Sequence, residues 1–188
     1  MKKERLRILF IGNSHTYYND MPLLVKQRFD ELNYDCEVTM LAHPAWFLEQ
    51  HVEDPEAKFN ILYGNYDYVV LQEHAHPFGP VEKYHEAVRT LVSWIRESGA
   101  TPVIYMTWAQ KSEPEMQQLM TDAHRAIAEE TGSILAPVGE YWWPYSRSWP
   151  DLEMFADDGQ HASPAGSDFA AKTIMEEILT DLHRRKLS

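Results

Sequence analysis

One cysteine, Cys36, occurs in 188 residues. A lone thiol closes no internal disulfide, so nothing in the chain asks for an oxidising compartment. Long apolar runs are also missing: none approaches the roughly 20 residues of a membrane span. The first, Leu6–Ile11, follows a charged Met1-Lys2-Lys3-Glu4-Arg5 start and is interrupted by Arg7. It is too short for a signal-peptide core, and no small-residue cleavage site follows it. These absences predict a soluble, cytoplasmic protein with no membrane partner. Basic residues are scarce, 17 Lys and Arg against 29 Asp and Glu, for a net charge of −12. A polyanion is repelled by such a surface, which excludes nucleic acid as a partner. The Arg184–Lys186 cluster ends a predicted helix, where cations suit the terminal carbonyls. Gly-x-Gly-x-x-Gly is absent, which disfavours a nucleotide- or flavin-binding site on the first loop. No internal repeat or low-complexity linker is visible, so residues 1–188 read as one domain.

What is present is a core. The apolar fraction is 44%, enough for a chain of this length to bury roughly 70% of its unfolded surface. Five short apolar runs read as strands: Leu6–Ile11, Glu37–Leu41, Tyr66–Leu71, Pro102–Met106 and Ser133–Ala136. Near-continuous apolar runs suit strands buried on both faces, as in a parallel sheet. Helical patterns lie between them. Met21–Leu32 has Asp20 as N-cap and Pro22 in its first turn, Val81–Ser98 stops at Gly99, and Glu113–Thr131 stops at Gly132. Ser163–Leu187 starts from a Ser163 cap with Pro164 at the first helical position. This alternation predicts an α/β fold, a three-layer α/β/α sandwich with right-handed crossovers. Pro137–Ala162 is the longest stretch without a helical or strand pattern.

Ligands of open α/β sheets bind beyond the carboxyl ends of the strands. Residues there carry the chemistry. Gly12-Asn13-Ser14-His15 ends the first strand, and Asp157-Asp158-Gly159-Gln160-His161 precedes the last helix. Ser14 opens a helix, where backbone amides can hold an anion. A serine needs a base to attack, and an Asp-x-x-His turn delivers one with its orienting carboxylate. Asp158 and His161 form such a turn. Taken separately, Gly-x-Ser is an ordinary turn and Asp-x-x-His an ordinary cap; their pairing at opposite ends of one domain points to a site. His15 is the runner-up base, although it adjoins Ser14 too closely for easy triad geometry.

"ILFIGNSHT" and "DDGQHASPAG" resemble the first and last blocks of the SGNH, or GDSL-like, hydrolases. That resemblance runs through the chain in order and spacing. It implies a flavodoxin-like parallel sheet and an esterase acting on a small-molecule ester, most simply a short acyl such as acetyl on a carbohydrate or related metabolite. It implies Ser14 as nucleophile, His161 as base and Asp158 as its orienting acid, with no cofactor. The middle blocks differ from the family pattern. Where the family has an oxyanion-binding glycine, "AHPAWFLEQH" offers Ala45, with Ala42 competing; an alanine N–H serves there if its φ is negative. Where the family has an asparagine, "VVLQEHAHP" offers Gln72. The expected oxyanion hole is therefore the Ser14 and Ala45 N–H groups and the Gln72 amide. These departures keep open a second reading, a catalytically degenerate protein that binds a carbohydrate or metabolite.

Glu73 and His74 follow Gln72 and are candidate substrate contacts. His74 and His76 could share a strand face as metal ligands, but no third ligand is marked, so no metal is expected. Trp108, Trp142 and Trp143 are candidate substrate walls. Glu140–Pro150, "EYWWPYSRSWP", reads as a packed lid or a contact between copies in a homo-oligomer, or else as a wall for the substrate.

Overall fold

The computed structural model describes residues 3–187. Met1, Lys2 and Ser188, which belong to the charged start and the 1–188 domain read above, lie outside the described residues. Strand β1 (Glu4–Gly12) sits inside a five-stranded, all-parallel sheet with β2 (Tyr34–Ala42), β3 (Tyr68–Gln72), β4 (Thr101–Tyr105) and β5 (Ile134–Ala136). The spatial order is β2-β1-β3-β4-β5, so the chain reverses direction across the sheet between β1 and β3. The register pairs Gly12 with Ala42, Ile11 with Leu71 and Gln72 with Tyr105. Those residues line one carboxyl edge, the place where such sheets bind ligands.

Two-residue periodicity divides the core. Leu6, Ile8 and Phe10 of β1, with Tyr68 and Val70 of β3, pack against Val25 and Phe29 of α2 (Met21–Glu31) and Ile174 and Ile178 of α8 (Pro164–Leu187). Leu9 and Ile11, with Val69 and Leu71, face the opposite layer. That layer holds α3 (Leu48–Glu53), α4 (Pro55–Tyr63), α5 (Val81–Glu97) and α6 (Met116–Thr131). The predicted three-layer α/β/α sandwich is therefore what the chain forms.

Local chemistry explains most boundaries. Gly99 and Gly132 take positive φ just past α5 and at the end of α6. The Ser163 hydroxyl accepts the Gly166 N–H at 3.1 Å and caps α8, with Pro164 first in the helix. Three expectations are corrected. Asp20 does not cap α2: it and Asn19 are both left-handed, a backbone that turns the carboxylate away from the helix amides, and it makes no capping bond. Helix α6 starts at Met116 rather than Glu113. The stretch Pro137–Ala162 is not patternless, because α7 (Val138–Ser148) occupies its first half and carries Pro144 inside it. Helices α3 and α4 are too short, six and nine residues, for periodicity to mark them. A short α1 (Ser14–Tyr17) leads from β1 towards α2. Among the described residues no helix is long and apolar enough to cross a membrane.

Candidate active site

The serine is presented by a braced turn. Asn13 caps α1, its side-chain oxygen accepting the His15 N–H at 3.0 Å while its amide donates to the Trp46 carbonyl at 3.0 Å. The Asn13 N–H donates to Gln72 Oε1 at 2.8 Å, and the Thr16 hydroxyl donates to the same oxygen at 2.9 Å. The Gly12 carbonyl accepts the His43 N–H at 3.1 Å and meets His51 Nε2 at 2.8 Å. Gly12 is glycine because of close approach: a Cβ would lie 2.5 Å from both Gln72 Oε1 and Thr16 Oγ1.

The other half comes from the loop before α8. Asp158 Oδ1 accepts the Gln160 and His161 N–H groups, both at 2.9 Å, which folds the loop into a tight turn. The far carboxylate oxygen, Oδ2, meets His161 Nδ1 at 2.5 Å, and His161 Nε2 lies 2.8 Å from Ser14 Oγ. Serine, imidazole and carboxylate thus form a hydrogen-bonded series across 147 residues of chain. Burial raises the Asp158 carboxyl. The His161 bond and the two amides outweigh that and hold it down at about 2, so it stays ionised beside the imidazole. The loop is pinned from outside: Trp108 Nε1 donates to the Gln160 carbonyl at 2.8 Å, and the Asn19 amide donates to the Ala162 carbonyl at 2.9 Å.

Two rings clamp His161. Tyr18 stacks on it with centroids 4.1 Å apart and planes 13° apart, and His15 stacks at 4.8 Å and 28°. Sequence reasoning missed Tyr18; its place four residues after Ser14, one helical turn, was the available signal. His15 forms no bond to Ser14, and its Nε2 has no partner among the described residues. Burial drives the His15 ring well below its ordinary value, helped by His76 and His161. His76 is pushed down to about 4, again mainly by burial. Both are neutral near pH 7. The runner-up base is therefore packing beside the imidazole rather than an alternative to it.

The expected oxyanion donors divide. Ser14 and Ala45 have N–H groups without a hydrogen-bond partner among the described residues. Ala45 follows Pro44 in a turn closed by the Trp46 N–H on the His43 carbonyl at 3.2 Å, and the Asn13 amide ties that turn to the serine loop. Its φ is +59°, against the negative value expected. A turn with proline second and a left-handed residue third favours glycine in that place. Gln72 is a correction. It is 1% exposed, its oxygen is taken by Asn13 and Thr16, and its Nε2 donates to the Glu73 carbonyl. It braces the serine loop, with its amide turned to the Glu73 carbonyl.

The candidate substrate walls are corrected as well. Trp108 and Trp142 are fully buried and stacked on each other at 3.7 Å, deep in the core. Trp143 lines a surface groove between α6 and α7 with Arg125, Glu140 and Arg147. Glu73 is buried and accepts the Leu48 N–H at 3.1 Å; burial pushes it up to about 7. His74 stacks on Phe47 at 4.2 Å, whereas His76 packs edge-on against His15 at 5.1 Å. The two rings go to different neighbours and share no ligand position. The ligand-type cluster among the described residues is elsewhere: His43, Asp54 and Glu56 bring one atom each within 4.8 Å of one another. A cavity of about 320 Å³ adjoins the His161 loop, lined by His76, Phe78, Gln110, Glu113, Met116 and Gln160 among others.

No family model and no curated relative matches the sequence. Solved structures do. A protein from Slackia heliotrinireducens assigned to the SGNH hydrolases is 30% identical, with a TM-score of 0.78 over 93% of this chain and 100% of that one.

The chain belongs to the SGNH hydrolases.

The fold likeness extends further at lower identity. A GDSL-like lipase from Parabacteroides merdae gives a TM-score of 0.74 at 18% identity, over 94% of this chain and 97% of that one. An acetylxylan esterase from Geobacillus stearothermophilus gives 0.67 at 18% identity, over 95% and 96%. In this SGNH hydrolase the two end blocks of sequence meet at the carboxyl edge of the sheet, and the middle blocks supply the braces around them.

Proposed function

We propose that the protein is a serine esterase that removes a short acyl group, acetyl in the simplest case, from a carbohydrate or other small hydroxylated metabolite. The observation that carries this reading is the series Ser14 Oγ, His161 Nε2 at 2.8 Å, and His161 Nδ1 to Asp158 at 2.5 Å. In the proposed reaction His161 takes the serine proton as Oγ bonds to the ester carbon. Ionised Asp158 orients the ring and stabilises the imidazolium. The carbonyl oxygen, now negative, is met by the Ser14 and Ala45 N–H groups, amides near the turn that have no other partner among the described residues. Collapse breaks the carbon–alcohol bond, and the imidazolium returns its proton to the departing alcohol. Water, deprotonated by His161, then attacks the acyl-enzyme and frees the acid.

Support for the substrate class comes from two sources. The cavity adjoining the His161 loop at Gln160 mixes the polar ends of Gln110, Glu113 and Gln160 with the apolar Phe78 and Met116, a lining suited to a hydroxylated alcohol. The structurally similar Geobacillus protein is named as an acetylxylan esterase, and its structure is that of a catalytic mutant in which a serine near the N-terminus is replaced by alanine. The left-handed Ala45 motivates the second reading, a degenerate binding protein. A fluorophosphonate probe together with p-nitrophenyl acetate hydrolysis separates them. Labelling at Ser14, and loss of both labelling and hydrolysis in Ser14→Ala, is the expected result. Full hydrolysis by Ser14→Ala would sink the mechanism; an unlabelled wild type that still binds acetylated sugars would favour the second reading.

A further inference from the structure

Gln72 and Glu73 are adjacent in sequence and point to opposite faces of the sheet. Gln72 serves the serine loop. Glu73 enters the other layer, 2% exposed, and receives N–H groups from Leu48, at 3.1 Å, and from His74. Among the described residues no cation pairs with it. The nearby lysine, Lys83, is held by Glu49 at 3.0 Å at the surface. Buried carboxylates are ordinarily paired or fully hydrogen-bonded, because an uncompensated charge in a low-dielectric interior is costly.

A second unmet group lies close by. Tyr84 is 3% exposed, and its hydroxyl has no hydrogen-bond partner among the described residues. Tyr84 and Glu73 line the same cavity, and the Glu73 charge raises the Tyr84 phenol further above the level set by burial. That cavity, of about 280 Å³, has Phe47, Glu49, Gly79, Pro80 and Lys83 as its other walls. The N-terminal end of α5 borders it as well. Whenever Glu73 is ionised, two carboxylates against one lysine leave the cavity with a net charge of −1 before any occupant enters.

We infer that this cavity is a binding site, separate from Ser14 and His161, for a small organic ammonium with an apolar or aromatic body. The ammonium donates to the Glu73 carboxylate and to the phenolic oxygen of Tyr84, satisfying both. The body lies against the Phe47 ring and Pro80, where an aromatic face adds attraction for a cation. Three donors on a compact head match a carboxylate and a phenol side by side. An anion is repelled by Glu73 and Glu49. A neutral alcohol fills the space but leaves the carboxylate uncompensated.

Benzylammonium chloride is the probe, titrated calorimetrically into the intact protein, with benzyl alcohol and benzoate as matched controls. Saturable one-to-one binding of benzylammonium is expected at millimolar concentration, with benzyl alcohol weaker and benzoate absent. Glu73→Gln should weaken binding by more than about tenfold, the loss of one charge-assisted contact. Tyr84→Phe keeps the ring and removes only the hydroxyl, and should weaken binding several-fold. Melting curves establish that each variant is folded. Should Glu73→Gln fail to fold, Tyr84→Phe and the amide shifts of Leu48 and His74 in the wild type decide the matter. Equal binding of benzoate, undiminished binding in either folded variant, or no saturable benzylammonium binding would overturn the inference.

Discussion

Replacing Gln72 by leucine distinguishes a brace from an oxyanion donor. Leucine removes the oxygen that accepts from Asn13 N–H and Thr16 Oγ, and the amide that donates to the Glu73 carbonyl. Thr16 is 1% exposed, as are Asn13 and Gln72, so water cannot substitute in place. The threonine hydroxyl can rotate towards another acceptor, but the two backbone groups cannot. Each unsatisfied buried group costs about 1–3 kcal/mol, so two cost about 2–6 kcal/mol. For a domain of this size each kcal/mol lowers the melting temperature by about 2–4 °C, giving a fall of roughly 4–24 °C. Thermal unfolding followed by circular dichroism reads the change, and p-nitrophenyl acetate turnover is scaled to the folded fraction. A brace predicts a large fall in melting temperature, with scaled activity falling by less than a lost oxyanion donor would cause. An unchanged melting temperature with a loss of about 10²–10³ in kcat would show that Gln72 binds the oxyanion, and would refute the reasoning.

Gly12→Ala tests the close approach under the serine loop. Its Cβ would sit 2.5 Å from Gln72 Oε1 and Thr16 Oγ1 and 2.9 Å from Gln72 Cβ, so overpacking of about 1–3 kcal/mol and slower fluorophosphonate labelling of Ser14 are expected. A variant with wild-type melting and labelling would contradict this. Glu73 makes stability depend on pH. Burial lifts its folded value from 4.5 to about 7, so the stability it contributes is complete below the unfolded value and is lost as pH rises through 7. Relative to wild type, Glu73→Gln should therefore gain about 2–3 kcal/mol in urea unfolding between pH ~5 and pH ~8. Parallel stability curves would show that the carboxylate is already compensated.

Much of the fold is legible in the amino-acid sequence. Apolar runs bounded by turns locate the strands, because a strand buried on both faces must be apolar throughout. Gly99, Gly132 and Ser163-Pro164 mark helix ends, because backbone conformation at a cap depends on a few adjacent residues. Other features are not legible there. Trp108 lies just past β4 and Trp142 inside α7, places where an aromatic can line a pocket or fill the core; only the meeting of β4, α7 and the loop before α8 puts them in the core. Helices α3 and α4 owe their place to packing against the sheet and α5 rather than to a long periodic face.

What the sequence by itself determined is local: the alternation that makes an α/β sandwich, the cap and turn chemistry at its joints, and the two short blocks that hold Ser14, Asp158 and His161. Tertiary structure decided which side chains those blocks meet. Gln72 was chosen as a brace, and Glu73 sent to the opposite layer, by the register that sets Ile11 against Leu71 and Gln72 against Tyr105. A strand reverses its side-chain direction at every residue, so a neighbour in sequence can belong to another site altogether, and its partners come from segments tens of residues away. Tyr18 reached the His161 ring in the same way, by a fold that closes 143 residues of chain into one stacked pair.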